Sequence, residues 1–108
     1  MKSRMCLTFR LKRESIPEYV RLHQQVWPEL LEVYRKAGIT EISCFLNDCE
    51  VVVHSQYELE VYEDEKESLS RDPVELRWQA LMQSLRDPDS QTLRFEEIFH
   101  MPALEGNP

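Results

Sequence analysis

Met5 to Leu11 alternates Met5, Leu7, Phe9 and Leu11 with Cys6, Thr8 and Arg10, the period-two pattern of a strand with one buried face. Ser15-Ile16-Pro17-Glu18 follows, an S-x-x-E capping box with a proline in the first turn, where its missing N–H is harmless. The spacing predicts a helix from there through Tyr19, His23, Val26, Trp27, Leu30 and Tyr34 to Ala37, with Gly38 as a left-handed stop. Pro28 falls inside that helix and removes the bond to the Gln24 carbonyl, so the helix is expected to kink or re-start there. The freed carbonyls either serve water or a ligand, or the bend only follows the sheet.

Thr40 to Asn47 alternates Ile42, Cys44 and Leu46 with Glu41, Ser43 and Phe45, and Val51 to Leu59 is rich in β-branched and aromatic residues. The polar Asn47-Asp48-Cys49-Glu50 between them predicts a hairpin loop and an antiparallel pair. The acidic run Glu63-Asp64-Glu65-Lys66-Glu67 opens a second helical region, where negative charge complements the helix dipole and forms a solvated face. Asp72-Pro73-Val74-Glu75 repeats the cap, proline and glutamate pattern for a helix to about Arg86. Its expected buried stripe is Leu76, Ala80, Leu81 and Leu85, with Trp78 toward one side. Leu93 to His100 is the last predicted strand, and Met101 to Pro108 a tail that is ordered only if a partner covers it.

Strand, helix, strand, strand, helix, strand is the split βαβ order of a ferredoxin-like α+β fold. The expectation is one domain over residues 1–108, with its core at about 5–102 and a tail at 103–108. Two helical regions cover one face of such a sheet. Apolar and aromatic side chains on the other are most simply buried against a second copy, so a homodimer is expected.

Composition narrows the chemistry. A net charge of −7 disfavours nucleic-acid and anionic-membrane partners, which are held by Lys and Arg patches. Basic residues break every short apolar run of MKSRMCLTFRLKRE, and no stretch approaches the ~20 apolar residues of a membrane span, so a cytoplasmic protein is expected. Cys6, Cys44 and Cys49 are odd in number and lack C-x-x-C spacing, which predicts reduced thiols, with Cys6 and Cys44 as core fillers. Two glycines cannot build a Gly-rich phosphate loop, and no His or Cys pair has metal spacing.

What remains is Tyr19, His23 and Trp27, spaced four apart so that a phenol, an imidazole and an indole stack on one helix face, together with Trp78, His54 and His100. Such a row can stack, orient and protonate a small polar substrate near pH 7. A histidine packed between aromatics in a core has the same pattern.

Glu18-Tyr19-x3-His23-x3-Trp27-Pro28-Glu29-Leu30, with Gly38 following, resembles the L-rhamnose mutarotase family. Phe45-Leu46-Asn47, Arg77-Trp78 with Met82, and Glu97-Ile98-Phe99-His100-Met101-Pro102 are similar to further family segments, so the resemblance covers about residues 5–102. It implies a dimeric ferredoxin-like α/β barrel that interconverts the α and β pyranose anomers of L-rhamnose, a monosaccharide, without cofactor or metal. It also implies that His23 is the proton donor and that Tyr19 and Trp78 bind substrate. Two departures stand out: a family tyrosine falls at about Ile42 and a second tryptophan at Gln79. A site that loses a hydrogen-bonding ring discriminates differently among hydroxyl patterns, so another sugar such as L-fucose is an alternative substrate. Gln79 bonding a hydroxyl and His54 adding a donor from the sheet are alternatives to the expectation for each, a structural or surface role. A cofactor-free oxygenase, by fold analogy, and a non-catalytic dimeric binding domain are the competing functions.

Overall fold

In the computed structural model, which describes residues 1–104, β1 (Lys2–Arg10), β2 (Ile39–Asn47), β3 (Glu50–Glu58) and β4 (Leu93–Phe95) form one antiparallel sheet in the order β2-β3-β1-β4. A 3-10 turn at Arg13–Ser15 leads into α1 (Ile16–Gln24) and α2 (Pro28–Lys36), which make the first crossover. The second crossover is α3 (Leu59–Arg71) and α4 (Pro73–Leu85). This is the ferredoxin-like arrangement, with each expected helical region divided in two.

The division of the first region follows from Pro28, which begins α2 at the position where a missing N–H removes nothing. The Trp27 carbonyl accepts from Leu30 and Leu31 N–H, so the chain re-starts its ladder after a three-residue break. Gly38 ends α2 at φ +90°, and a Cβ there would stand 2.9 Å from Cβ of Val61 and 3.2 Å from the Glu58 carbonyl. Glycine is required twice over, by backbone conformation and by the close approach of α3. The hairpin between β2 and β3 turns at Asp48 with φ 55°, and Arg13 holds that carboxylate with two bonds of 2.9 and 3.1 Å.

Strand register sorts the side chains. Leu7, Val53 and Cys44 lie abreast on the helix-covered face, as do Phe9, Val51 and Leu46. Leu30 and Val51 are fully buried, and with Phe9, Leu11, Tyr19, Trp78, Met82 and Leu85 they form the core between sheet and helices. The opposite face carries Thr8, Val52, Phe45 and Leu93 in one row and Cys6, His54, Ser43 and Phe95 in the next. Phe45, Leu93 and Phe95 there are exposed.

Several expectations are corrected. The Ser15 capping box does not form: Ser15 follows the 3-10 turn with helical φ −88° and ψ −10°, and its hydroxyl makes no cap bond. A helix already turning upstream leaves no extended residue for a side chain to bridge. Asp72 does cap α4, accepting from Val74 and Glu75 N–H at 2.8 and 3.4 Å. The second helical region opens at Leu59 rather than at the acidic run. The buried face of α4 is Trp78, Met82 and Leu85, with Leu81 half-buried, while Leu76 and Ala80 face solvent, so Trp78 is central and not lateral. The last strand pairs with β1 only over Leu93–Phe95, although β1 itself extends to Lys2. Glu97 instead reaches β1 by its side chain, bonding Arg4 at 2.7 and 3.0 Å. Cys44 lines a cavity and is not a core filler, Cys6 is half-buried on the open face, and Cys49 in the hairpin is the buried thiol; all three are free. Of the expected tail, residues 101–104 are exposed, and 105–108 lie outside the described residues.

Candidate active site

Between the sheet and the helices lies a cavity of about 570 Å³, within the usual size of a small-molecule site. Each wall comes from a different element: Leu7, Phe9, Val53, Ile42 and Cys44 from the sheet, Tyr19 and His23 from α1, Leu30 and Tyr34 from α2, and Trp78, Gln79 and Met82 from α4. Arg86, Thr92 and Arg94 complete it from the chain that follows α4 and from β4. The wall is apolar in the main, with polar groups set into it at separate points, which suits a ligand whose C–H faces need cover and whose hydroxyls need partners.

The four-residue spacing does stack the α1 rings. Tyr19 and His23 lie 4.1 Å apart between ring centroids at an interplanar angle of 28°. Trp78 meets His23 edge-on at 5.4 Å, and Trp27 meets Trp78 edge-on at 5.0 Å, geometries that aromatic quadrupoles favour. The structure therefore brings Tyr19, His23 and Trp78 together at one cavity, although Trp78 arrives from the other crossover. Ile42 and Gln79 line the same cavity.

His23 Nδ1 is 2.8 Å from the Tyr19 carbonyl. A carbonyl oxygen only accepts, so Nδ1 carries a proton and donates it, and Nε2 is left as the nitrogen available to a ligand. Neutral, Nε2 accepts; protonated, it donates. The ring is half-buried, and one nitrogen alone is used by the protein among the described residues. That is not the arrangement of a histidine satisfied inside a core.

Burial pushes the Tyr19 phenol above the ordinary tyrosine range, with the Cys44 thiol adding in the same direction and Arg86 opposing. Tyr19 therefore stays protonated and is a hydrogen-bond donor, not a base. On α2 and α4, the Tyr34 hydroxyl donates to Glu75 Oε1 at 2.6 Å, and Gln79 Nε2 reaches both Glu75 oxygens at 3.4 Å. Burial raises the Glu75 carboxyl, against the opposing bonds from Tyr34 and Gln79. Arg86 sits 4.1 Å over the Phe9 ring and donates to Thr92 at 2.6 Å.

One alternative fails here. His54 lies on the open face, because its neighbours Val53 and Cys44 fix the alternation, so it adds no donor to the cavity. His100 is exposed beyond β4 and does not line the cavity. Sequence reasoning missed Tyr34, Arg86 and Arg94 as cavity residues, and Glu75 behind Tyr34. The alternation of Leu93, Arg94 and Phe95 held a signal for one of them: two outward apolar residues turn the arginine between them inward, where its Nη1 meets Met5 Sδ at 3.2 Å. Among the described residues no group of three or more His, Cys, Asp or Glu side chains is placed to hold a metal ion.

A model of the L-rhamnose mutarotase family matches residues 4–101. The chain belongs to the L-rhamnose mutarotase family. An L-rhamnose mutarotase of Rhizobium johnstonii is 30% identical over 89 residues, which cover 79% of this chain and 83% of that one. Among solved structures, an L-rhamnose mutarotase from Formosa agariphila has a TM-score of 0.74 at 21% identity, covering 93% of this chain and 99% of that one. A cofactor-independent oxygenase from Streptomyces nogalater is similar at a TM-score of 0.62 and 11% identity, covering 94% and 98%. At those identities the solved structures establish the fold alone, so the oxygenase likeness is one of architecture.

Proposed function

We propose that the protein catalyses the exchange of α and β anomers of L-rhamnose in the cavity between sheet and helices, with His23 as the proton donor and Tyr19 and Trp78 as substrate-binding residues. The observation that carries this reading is the His23 ring, anchored through Nδ1 on the Tyr19 carbonyl at 2.8 Å and presenting Nε2 to a ligand. In its protonated form Nε2 delivers a proton to the ring oxygen as the C1–O5 bond breaks, and the anomeric hydroxyl releases its proton to solvent. After rotation about C1–C2 the 5-hydroxyl adds to the other face of the aldehyde, its proton returns to Nε2, and the aldehyde oxygen is reprotonated. No proton or electron is gained or lost overall. Positioned acid catalysis of this kind contributes ~10² to 10⁴ in rate.

Tyr19, held protonated by burial, donates to a sugar oxygen, and the Trp78 ring, backed by Trp27, covers a C–H face of the deoxy sugar. The chemistry draws on these side chains and calls for no cofactor. The active form in this reading is a homodimer of one domain, which covers the open face with its exposed Phe45, Leu93 and Phe95. No helix among the described residues is long and apolar enough to cross a membrane, and the reading places the enzyme in the cytoplasm, where it would meet a free sugar and neither nucleic acid nor membrane.

The test is saturation-transfer NMR between the two anomeric protons, on a panel of L-rhamnose, L-fucose and other aldoses. Exchange well above the spontaneous rate, highest for L-rhamnose, is expected. A spontaneous rate for every sugar would remove the reading; a faster rate for another sugar would change the substrate. Light scattering that gave a stable monomer at micromolar concentration would contradict the dimer.

A further inference from the structure

The Tyr34, Glu75 and Gln79 cluster is built into the cavity wall and is not used by the proton transfer just described. Tyr34 and Gln79 both line the cavity, and Glu75 stands behind them on α4, one turn before Trp78. The Tyr34 hydroxyl has one proton, and the 2.6 Å bond commits it to the Glu75 carboxylate. Burial, and then the bond to Glu75, raise the phenol above the ordinary tyrosine range, so that proton stays on Tyr34 and the pair is a fixed donor and acceptor, not a relay. What the Tyr34 oxygen then offers the cavity is lone pairs alone. Gln79 turns its amide nitrogen toward the same carboxylate. The Tyr34 oxygen therefore accepts a hydrogen bond from the cavity, and an apolar or acceptor-only group placed against it would leave it unpaired.

On the reading of an aldose anomer exchanger, the ring oxygen lies at His23. In a pyranose the atoms across the ring from that oxygen are C2, C3 and C4, with C3 directly opposite, so their hydroxyls are the groups that extend away from His23. A hydroxyl is a donor. We propose that Tyr34, held by Glu75 and Gln79, is a specificity-determining residue that accepts a hydrogen bond from one sugar hydroxyl on C2, C3 or C4, far from the oxygen that His23 protonates. The same carboxylate orients both Tyr34 and Gln79, so Glu75 is a positioning residue: it touches no substrate, and its loss frees the Tyr34 proton to point into the cavity.

The test measures anomer exchange of L-rhamnose and its 2-, 3- and 4-deoxy derivatives by the wild type, Tyr34→Phe and Glu75→Leu. Tyr34→Phe keeps the ring and is expected to melt like the wild type, while kcat/KM for L-rhamnose falls by about 3- to 10-fold, the size of one neutral hydrogen bond, mainly through KM. One deoxy sugar, the one lacking the hydroxyl that Tyr34 accepts, is expected to be exchanged equally by wild type and Tyr34→Phe; the other two fall as L-rhamnose does. Glu75→Leu, which leaves no acceptor for the Tyr34 proton, is expected to give the same selective pattern without removing the phenol. An equal loss on all four sugars, or no loss on any, overturns the proposal while leaving the anomer-exchange reading in place. A wild type that exchanges none of the four overturns both.

Discussion

The two faces of the sheet are made from the same strands yet differ in what covers them. On the helix side Val51 is fully buried and Val53 and Leu7 border a cavity; one residue along, Val52 and Thr8 turn to a face where Phe45 is 60% exposed. The single-residue alternation of a strand thus separates a side that borders a cavity from a side that carries exposed apolar residues. His23 and His54 illustrate the consequence. Both are histidines near apolar residues, but one has a cavity, an anchored Nδ1 and an aromatic surround, and the other looks away from all of them.

The largest expected effect separates the faces by stability. Leu30→Ala, at a fully buried position against the cavity, should cost about 2–5 kcal/mol in urea unfolding, because the lost contacts leave a void. Phe45→Ala would cost only about 0.5 kcal/mol on a face left uncovered, so the proposed homodimer predicts a larger loss there, of about 3–5 kcal/mol. A loss at Phe45 as large as that at Leu30, with a Tm that rises with protein concentration, would show that a second copy buries the open face in solution. A small loss with no concentration dependence would contradict the dimer.

A smaller effect concerns the helix starts that aim each side of the cavity. Asp72→Ala removes two cap bonds from α4 and should cost about 0.5–2 kcal/mol, whereas Ser15→Ala at α1 removes none and should be close to neutral. Thermal unfolding of the two variants checks this; equal losses would contradict the assignment of the cap.

The smallest effect is in pH. Burial raises the Glu75 carboxyl, so the stability linked to its protonated form is fully present below the unfolded carboxyl value of ~4.3 and is lost as pH rises through the higher folded value. Glu75→Gln has no such titration. The stability difference should therefore move in favour of the variant as pH rises through that window and then level off. A difference that is flat across the window, or that moves toward the wild type, would contradict the raised value.

Much of this was legible along the chain. Alternation marked the strands and their inner residues, Pro28 marked the re-start between α1 and α2, and the spacing of Tyr19 and His23 marked their stack, whereas Trp27 falls in the break after α1 and meets Trp78 edge-on instead of continuing the row. The misreadings have physical causes. On α4, Leu76 with Ala80 and Trp78 with Met82 share the same four-residue spacing on opposite sides of the helix, and packing against α1 and α2 decides between them. Ser15 has the letters of a cap but not its extended backbone. The Tyr34 and Glu75 pair joins residues 41 apart, which local periodicity does not encode. The strand expected over 93–100 stops at Phe95, and Glu97 meets β1 through its side chain in place of a ladder bond, a contact that alternation does not encode.

The central claim is that the helix-covered cavity, through His23 Nε2, moves the proton that opens the sugar ring. Saturation transfer between the anomeric protons of L-rhamnose, compared for wild type and His23→Ala at equal concentration of folded protein, tests it most directly. The expected result is catalysed exchange by the wild type and a loss of ~10²- to 10⁴-fold in the variant, with its unfolding transition retained. Exchange at the wild-type rate by folded His23→Ala would contradict it.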